Sequence, residues 1–238
     1  MDHAGYTILT RQSGLAREMQ IVANNIANAA TTGFRSEGMI FSEYVRSAGI
    51  GESLSMGQGN VGRTSFEQGA LRPTGSPLDL ALEGGGFFQV ETPAGPRLTR
   101  SGAFTTNAQS ELVTQHGYPV IDADGAPVFV PPGVDVAISP DGTVSADGVP
   151  LGQVGVVTPI DPLNLVREDG VLFRADAGVD PDGQTRVLQG FVESANVNAV
   201  HQLARMIEVQ RAYELGQSFL ESEDERVRGA MRAIMTQS

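Results

Sequence analysis

Prolines divide this chain into three parts. All 13 of them lie between Pro73 and Pro181, so neither end of the chain contains one. A proline inside a helix removes a backbone hydrogen bond and costs about 3 kcal/mol. Most of the 29 glycines also fall in the middle, where they are typical of turns. The ends can therefore form long helices, whereas the middle must be built differently.

Apolar residues at both ends recur three and four residues apart, which is typical of a helix that packs along a second helix. At the N-terminal end this seam comprises Ile8, Leu15, Met19, Val22 and Ile26, interrupted by Gln12. At the C-terminal end it comprises Met206, Val209, Tyr213, Gly216, Leu220 and Val227. The pattern predicts that the two ends pair as a coiled-coil-like helical domain. Two ordinary surface helices on one core are the alternative.

The middle of the chain consists of short apolar runs separated by Pro, Gly and Asp-Gly turns, at a spacing of roughly 8 to 12 residues. The runs predicted to be strands lie at 78–82, 86–91, 97–100, 103–106, 111–114, 118–121, 126–130, 134–138, 143–145, 151–157, 170–174 and 186–193. This pattern predicts an antiparallel sheet, so the fold class is α+β with a central β-rich domain inserted between the two helices. The predicted boundaries are a first helix over 1–34, an extended connector over 35–72, the β domain over 73–193 and a second helix over 194–238. Asn196 or Asn198 is predicted to cap the second helix.

Charge and composition exclude several classes of protein. The net charge of −12 and the pI near 4.6 argue against a nucleic-acid-binding surface. The chain has no cysteine and therefore neither a disulfide framework nor a cysteine metal site. It shows no basic start followed by an apolar block and no long apolar stretch, so we expect neither a cleaved signal peptide nor a membrane span. Export, if it occurs, must use another route.

Three patterns resemble chemical sites without completing one. The run G-x-G-x-x-G at 57–62 lacks the preceding buried strand and the following helix of a dinucleotide-binding loop. The runs beginning at Asp122 and Asp180 lack the further acidic ligands of a calcium loop and are predicted to be turns. The three histidines, His3, His116 and His201, have no neighbouring motif that would complete a catalytic triad or a zinc site. We predict no catalytic residue, no cofactor and no metal site.

The run at 23–28 holds three asparagines, Asn24, Asn25 and Asn28, although asparagine is a weak helix former. Their amides could bond other chains and fix the register of an assembly, or they could bond backbone within the same molecule near the helix end. Gly33 and Phe34 follow, and we predict that this pair stops the first helix near Thr32, because glycine readily adopts the left-handed conformation.

The run ANNIANAATTGF at 23–34 resembles the N-terminal signature of the bacterial flagellar rod and hook family. The runs at 76–90 and 98–121 resemble the central sheet domain of that family, and 194–215 resembles its C-terminal helix. Within the family, the opening Met1-Asp2-His3-Ala4 and the short connector are most similar to the proximal-rod member. The distal-rod member is the alternative.

The resemblance implies an axial structural subunit that is exported by the flagellar type III apparatus, assembles in the periplasm and transmits motor torque. Its partners would be other rod proteins and copies of itself, with no nucleic acid and no membrane insertion. The residues expected to carry contacts between subunits are Ile8, Leu15, Met19, Val22, Asn24, Asn25, Ile26, Asn28, Met206, Val209, Tyr213 and Leu220. An exported β-domain enzyme or glycan-binding module is the more remote alternative.

Overall fold

The computed structural model describes the backbone of residues 2–47 and 53–235, and the side chains of 8–39, 63–229, 231–232 and 235. The chain divides into two compact units. We call the first the helical unit; it comprises Met1–Ala27, Glu37–Ser65 and Asn198–Ser238. The second, the sheet unit, comprises Asn28–Ser36 and Phe66–Val197.

The helical unit contains two helices and a hairpin. Helix α1 spans Asp2–Ala27, strands β1 and β2 span Glu37–Ser47 and Ser53–Thr64, and helix α2 spans Ala199–Met235. The two strands pair antiparallel from Glu37 opposite Thr64 to Ser47 opposite Ser53, with a bulge after Ile40. Helix α1 packs against α2 and also against the hairpin. The predicted connector thus contains two paired strands.

The prediction of a coiled-coil-like helical domain is wrong. Over the described residues the chain is α+β, with two α-helices and a β-rich middle, and α1 shares its apolar surface between a helix and a hairpin. Periodicity reports which face of a helix is apolar but not how many elements cover it. In the seam Leu15, Val22 and Val209 are buried, whereas Val227 is exposed. The remaining side chains of the seam are half-buried, namely Ile8, Met19, Ile26, Met206, Tyr213 and Leu220.

The helix boundaries follow from side-chain hydrogen bonds. Helix α1 ends at Ala27, before the predicted Thr32, because residues 28–33 form turns instead. The N–H of Thr31 donates to the carbonyl of Asn28 at 3.0 Å. Helix α2 begins after Asn198, whose Oδ1 accepts from the N–H of His201 at 3.0 Å. Asn198 is therefore the predicted N-cap.

The sheet unit is built of short strands, and every strand pair among the described residues is antiparallel. The strands are β3 Leu71–Pro73, β4 Leu80–Glu83, β5 Phe87–Thr92, β6 Gly95–Thr99, β7 Phe104–Thr106, β8 Leu112–Thr114, β9 Val120–Ile121, β10 Val136–Ile138, β11 Thr143–Ala146, β12 Val149–Gln153, β13 Val156–Pro159, β14 Val166–Asp169, β15 Leu172–Arg174, β16 Val179–Pro181, β17 Arg186–Gln189 and β18 Phe191–Glu193. The largest sheet has seven of these strands in the order β14-β15-β6-β5-β13-β16, with β9 paired to β5. Smaller sheets join β10-β11-β12, β17-β4, β18-β3 and β7-β8.

Two apolar clusters cover the two faces of the largest sheet. Phe87 and Phe88 are neighbours in β5, and successive side chains of a strand point to opposite faces. Phe88 packs in the larger cluster, where its ring lies 5.1 Å from that of Phe104. Phe87 packs in the smaller cluster, where its ring lies 6.1 Å from that of Phe173. The doublet therefore anchors this strand on both sides.

In the sheet unit, one strand expected from the sequence is absent among the described residues, and three strands, β3, β14 and β16, were missed. The run at 126–130 forms isolated bridges, through Pro127 and Phe129, rather than a strand. Proline cannot donate to a ladder, which limits pairing there. Strands β3, β14 and β16 are mostly exposed, so they lack the apolar alternation that identifies a strand.

The run beginning at Asp122 forms a turn, as predicted, whereas the run beginning at Asp180 starts in β16 and turns only at Asp182. Asp122 Oδ1 accepts from the N–H groups of Asp124 and Ala126, at 2.9 and 2.8 Å. Asp182 Oδ2 accepts from Thr185 Oγ1 at 2.6 Å and from Thr158 Oγ1 at 2.8 Å. Burial alone would raise the pKa of Asp182, but hydrogen bonds from Thr185, Gln184 and Thr158 together lower it to about 2.

Candidate functional site

Gln12, which interrupts the predicted N-terminal seam, forms a hydrogen bond to the other helix. Gln12 is buried, and its Nε2 donates to the carbonyl of Tyr213 at 2.9 Å. A Cβ at Gly216 would lie 2.2 Å from that Nε2. The absence of a side chain at Gly216 therefore leaves the space that the Gln12 side chain occupies. Gln12 and Gly216 are both exceptions to the apolar seams, and they occur at the same point of the helix pair.

Two further polar contacts fix α1 antiparallel to α2. Glu18 is buried, and its Oε1 contacts Arg205 Nη2 at 2.5 Å and Arg205 Nε at 2.6 Å. These hydrogen bonds raise the pKa of Arg205. Asn25 Nδ2 donates to Gln202 Oε1 at 3.4 Å. Residues late in α1 thus meet residues early in α2.

An apolar groove of about 410 Å³ opens between the two helices toward the start of α1. Its lining includes Leu215 and Phe219, which are 73% and 46% exposed. Such exposure of large apolar side chains is typical of surfaces that another protein covers. The remaining lining residues are Ile8, Arg11, Gln12, Leu15, Ala212 and Gly216.

Asn25 ties α1 to the hairpin. Its Nδ2 donates to the carbonyl of Glu37 at 2.7 Å, and its Oδ1 accepts from the N–H of Glu37 at 2.9 Å. One amide side chain thus satisfies both backbone groups of the first residue of β1, as a neighbouring strand would. Asn25 therefore bonds backbone within the same molecule, which is the second of the two interpretations given for the asparagine run.

The other two asparagines are placed differently. Asn24 is exposed, and Asn28 is half-buried with its Oδ1 accepting from Thr31 Oγ1 at 3.2 Å. Contacts of Asn24 and Asn28 with other chains stay a prediction, as does a role in assembly for the seam residues.

Gly33 meets two separate requirements of the turn after α1. Its φ is +70°, in the left-handed region, and a Cβ there would lie 2.2 Å from the backbone nitrogen of Ser101. Its N–H donates to the carbonyl of Glu193 at 2.7 Å. Phe34 is buried beneath the guanidinium of Arg167, which lies 4.8 Å from the ring centroid. The pair thus anchors this turn within the sheet unit.

A buried charge cluster in the sheet unit was not predicted. Glu193 Oε1 contacts Arg35 Nη1 at 2.5 Å and accepts from the N–H of Gly69 at 2.8 Å, while Glu193 Oε2 lies 3.7 Å from Arg100 Nε. All three charged side chains are at most 2% exposed. Burial lowers the pKa of both arginines, that of Arg100 to about 10. No sequence motif marks the cluster, because its members lie far apart in the chain.

The candidate chemical motifs do not assemble into a site among the described residues. The glycine run at 57–62 lies within β2, so it is strand rather than a phosphate-binding loop. His116 stacks on Tyr118 at the rim of a polar pocket of about 270 Å³. Within the part of the chain that the structure describes, no cluster of three metal-ligating side chains occurs. Over the same residues, no helix is long and apolar enough to cross a membrane.

Comparison with known proteins identifies the family. Residues 6–35 match the family model of flagella basal body rod protein, residues 81–146 that of the flagellar hook protein FlgE/F/G D1 domain, and residues 188–232 that of the flagellar basal body rod FlgEFG protein C-terminal region. A flagellar basal-body rod protein FlgF of Caulobacter vibrioides is 39% identical, and the match covers 98% of both chains. The chain belongs to the flagellar basal-body rod protein family.

Other rod proteins align over most of the chain as well. FlgF of Escherichia coli K12 is 32% identical over 94% of this chain and 95% of its own length. The rod protein FlgG of Buchnera aphidicola from Schizaphis graminum is 32% identical over 87% of this chain and 90% of its own length. The rod-protein models span the helix ends, the turn at Gly33 and the start of α2, which are the parts with the geometry described above.

Proposed function

We propose that this chain is a structural subunit of the proximal rod of the bacterial flagellum, which packs with other axial proteins and transmits motor torque. The observation that carries the proposal is its 39% identity to a FlgF rod protein over 98% of both chains. The proximal rod is favoured over the distal rod because FlgF relatives reach 39% and 36% identity, whereas a FlgG relative reaches 32%.

The mechanism we propose is mechanical rather than chemical. The helices expose large apolar side chains, and burying each against a neighbour contributes about 1.5 to 3 kcal/mol. Contacts of this kind between unlike faces propagate and build a filament. The relatives are rod proteins, which supports a role without catalysis.

The finer parts of the proposal concern partners and location. The partners are other rod proteins and copies of this chain, and the flagellar type III apparatus exports it without cleavage to the periplasm. The predicted assembly residues and the boundaries at 34, 72 and 193 belong to the same proposal. Their support is the family resemblance of the runs at 23–34, 76–121 and 194–215.

Deletion of the gene tests this function. We expect the deletion strain to lose swimming and to lack hooks and filaments, and the full-length chain supplied in trans to restore both. As a matched control, a chain that keeps the sheet unit but lacks 199–235 is expected to accumulate without restoring swimming. Normal flagella in the deletion strain would contradict the proposal.

A further inference from the structure

The polar pocket of about 270 Å³ lies wholly within the sheet unit, and four separate segments of the chain form its walls. They are the turn after α1 at 30–32, Thr99 and Ser101 at the end of β6, residues 114–116 and Tyr118 at the end of β8, and the turn before β15 at 171–172. Assembly of subunits through their helices does not require such a pocket.

Two buried hydroxyl groups in the lining of this pocket have a proton to donate. Thr99 is fully buried and Thr114 is 8% exposed. Thr99 Oγ1 accepts from the N–H of Ser101 at 3.0 Å, and Thr114 Oγ1 accepts from the N–H of Tyr118 at 3.1 Å. Neither hydroxyl donates to another described residue, and a buried donor without an acceptor is unfavourable. The two backbone contacts thus hold two hydroxyls whose protons need an acceptor atom.

Three further polar side chains of the lining are available to a ligand. The side chains of Thr32 and Ser101 are half-buried, that of Gln115 is exposed, and none of the three makes a hydrogen bond to another described residue. Hydroxyl and amide side chains can both donate and accept. The pocket can therefore satisfy a ligand group that does both.

Charge and ring geometry restrict the kind of ligand. No arginine, aspartate or glutamate is among the described residues that line the pocket, so a charged ligand would lose hydration without gaining a counter-charge. At the rim, the rings of His116 and Tyr118 are stacked, with centroids 6.3 Å apart and planes inclined by 24°. The face of an aromatic ring is electron-rich and attracts the C–H groups on one side of a sugar ring.

We propose that this pocket binds a neutral saccharide, whose hydroxyl oxygens accept from Thr99 and Thr114 and whose ring lies on the pair His116 and Tyr118. Each sugar hydroxyl can donate and accept, as the groups of the pocket can. The volume of about 270 Å³ is below the roughly 300 to 1,000 Å³ of sites for drug-sized ligands, which suits a single sugar unit of a glycan. This binding goes beyond the proposed function, because it does not depend on assembly.

Titration of the purified full-length chain with small saccharides tests the proposal. The neutral probes are cellobiose, maltose and N,N′-diacetylchitobiose, and digalacturonate is a charged disaccharide of similar size. Saturation-transfer NMR detects the binding. We expect at least one neutral probe to bind with a dissociation constant in the millimolar range or below, and digalacturonate to bind about tenfold more weakly.

Variants of the lining test whether the pocket is the site. Thr114→Val removes the hydroxyl at nearly the same size and should weaken binding by about tenfold, whereas Thr114→Ser, which keeps the hydroxyl, should bind as the wild type does. His116→Ala should also weaken binding by about tenfold, because it removes a ring from the rim. The matched control is His201→Ala, an exposed histidine of α2 outside the pocket, for which we expect no change.

Thermal unfolding shows whether each variant is folded. Should Thr114→Val not fold, His116→Ala decides, because the side chain of His116 is exposed and bonds no other described residue. Failure of all three neutral probes to bind, equal binding of digalacturonate or of an acetylated and amidated trialanine, or unchanged binding by the folded pocket variants would overturn the proposal. Normal flagella in the deletion strain would overturn the proposed function instead, so the two proposals fail separately.

Discussion

At the scale of single residues, a buried amide holds an element in place by substituting for a strand. Asn25 bonds both backbone groups of Glu37, at 2.7 and 2.9 Å, and its side chain is 1% exposed. The sequence marks the asparagine cluster as unusual, but it does not distinguish Asn25 from Asn24. The distinction depends on where the next element begins, which local sequence does not state.

We predict that Asn25→Ala destabilises the helical unit by about 2 kcal/mol, because it removes the two hydrogen bonds that this buried amide makes with the backbone of Glu37. Asn25→Asp should also destabilise it, since a carboxylate cannot donate to the carbonyl of Glu37. Chemical denaturation followed by circular dichroism measures the change. The neighbouring Asn24→Ala is the control, with a smaller effect expected at an exposed position, and an equal effect of Asn24→Ala would contradict this account.

A second residue-scale prediction concerns Gln12 and Gly216. Gly216→Ala should change stability little, because the gain of about 1 kcal/mol in helix propensity is offset by the loss of the Gln12 hydrogen bond, also about 1 kcal/mol. In a Gln12→Ala background the same change should stabilise by about 1 kcal/mol. A double-mutant cycle measures this coupling. Identical effects of Gly216→Ala in both backgrounds would show that the two residues act independently.

Asp182 gives a prediction about pH. Its pKa is about 2 in the folded protein, against 3.8 for an ordinary aspartate, so the folded state favours the ionised form. Its contribution to stability is therefore present above about pH 4 and is lost as the pH falls through 3.8 toward 2. Asp182→Asn should flatten the acid dependence of the denaturation midpoint in this window. An unchanged pH profile would rule out this contribution.

At the scale of elements, the buried cluster of Arg35, Arg100 and Glu193 joins segments that are distant in the chain. Glu193→Gln should destabilise the sheet unit by about 3 to 5 kcal/mol, because it leaves two buried guanidinium groups without a carboxylate. Glu168 also contacts two arginines, Arg97 and Arg174, but it is 29% exposed. Glu168→Gln is thus the matched control, and we expect little change from it. Similar losses for both variants would contradict a special role for burial.

The elements that could be predicted from the sequence are those whose residues carry a clear period. The proline-free ends predicted two helices, and the apolar runs predicted most strands of the sheet unit, including β4, β5 and β17. The hairpin at 37–64 could not be predicted, because its second strand is rich in Gly and Ser and its apolar alternation stops after Met56. The coiled-coil-like pairing was predicted wrongly because α1 also packs on that hairpin.

For the candidate site, sequence reasoning identified the right segments but not all the residues. The run at 23–34 contains Asn25 and Gly33, whose contacts the structure explains. The partners Glu37, Ser101 and Glu193 lie in other segments, so only the folded chain brings them together. Arg35, Arg100 and Glu193 have no local pattern, and an alignment of distant positions is the signal that could have found them.

At the scale of the whole molecule, family membership and the exposed apolar helix surfaces lead to one account. The chain is proposed to act only as part of an assembly, which its helices hold together. The motifs considered for a chemical site form a strand of the helical unit and turns of the sheet unit. The account therefore depends on where the subunit resides.

The most direct measurement is the position of this subunit in purified basal bodies. A small epitope placed in the exposed turn at Gly183 should leave swimming intact, and gold-labelled antibody should then mark the proximal rod in electron micrographs. Label confined to that segment is the predicted result. Basal bodies from a motile tagged strain that carry no label on the rod, under conditions in which a tagged hook protein is labelled, would contradict the account.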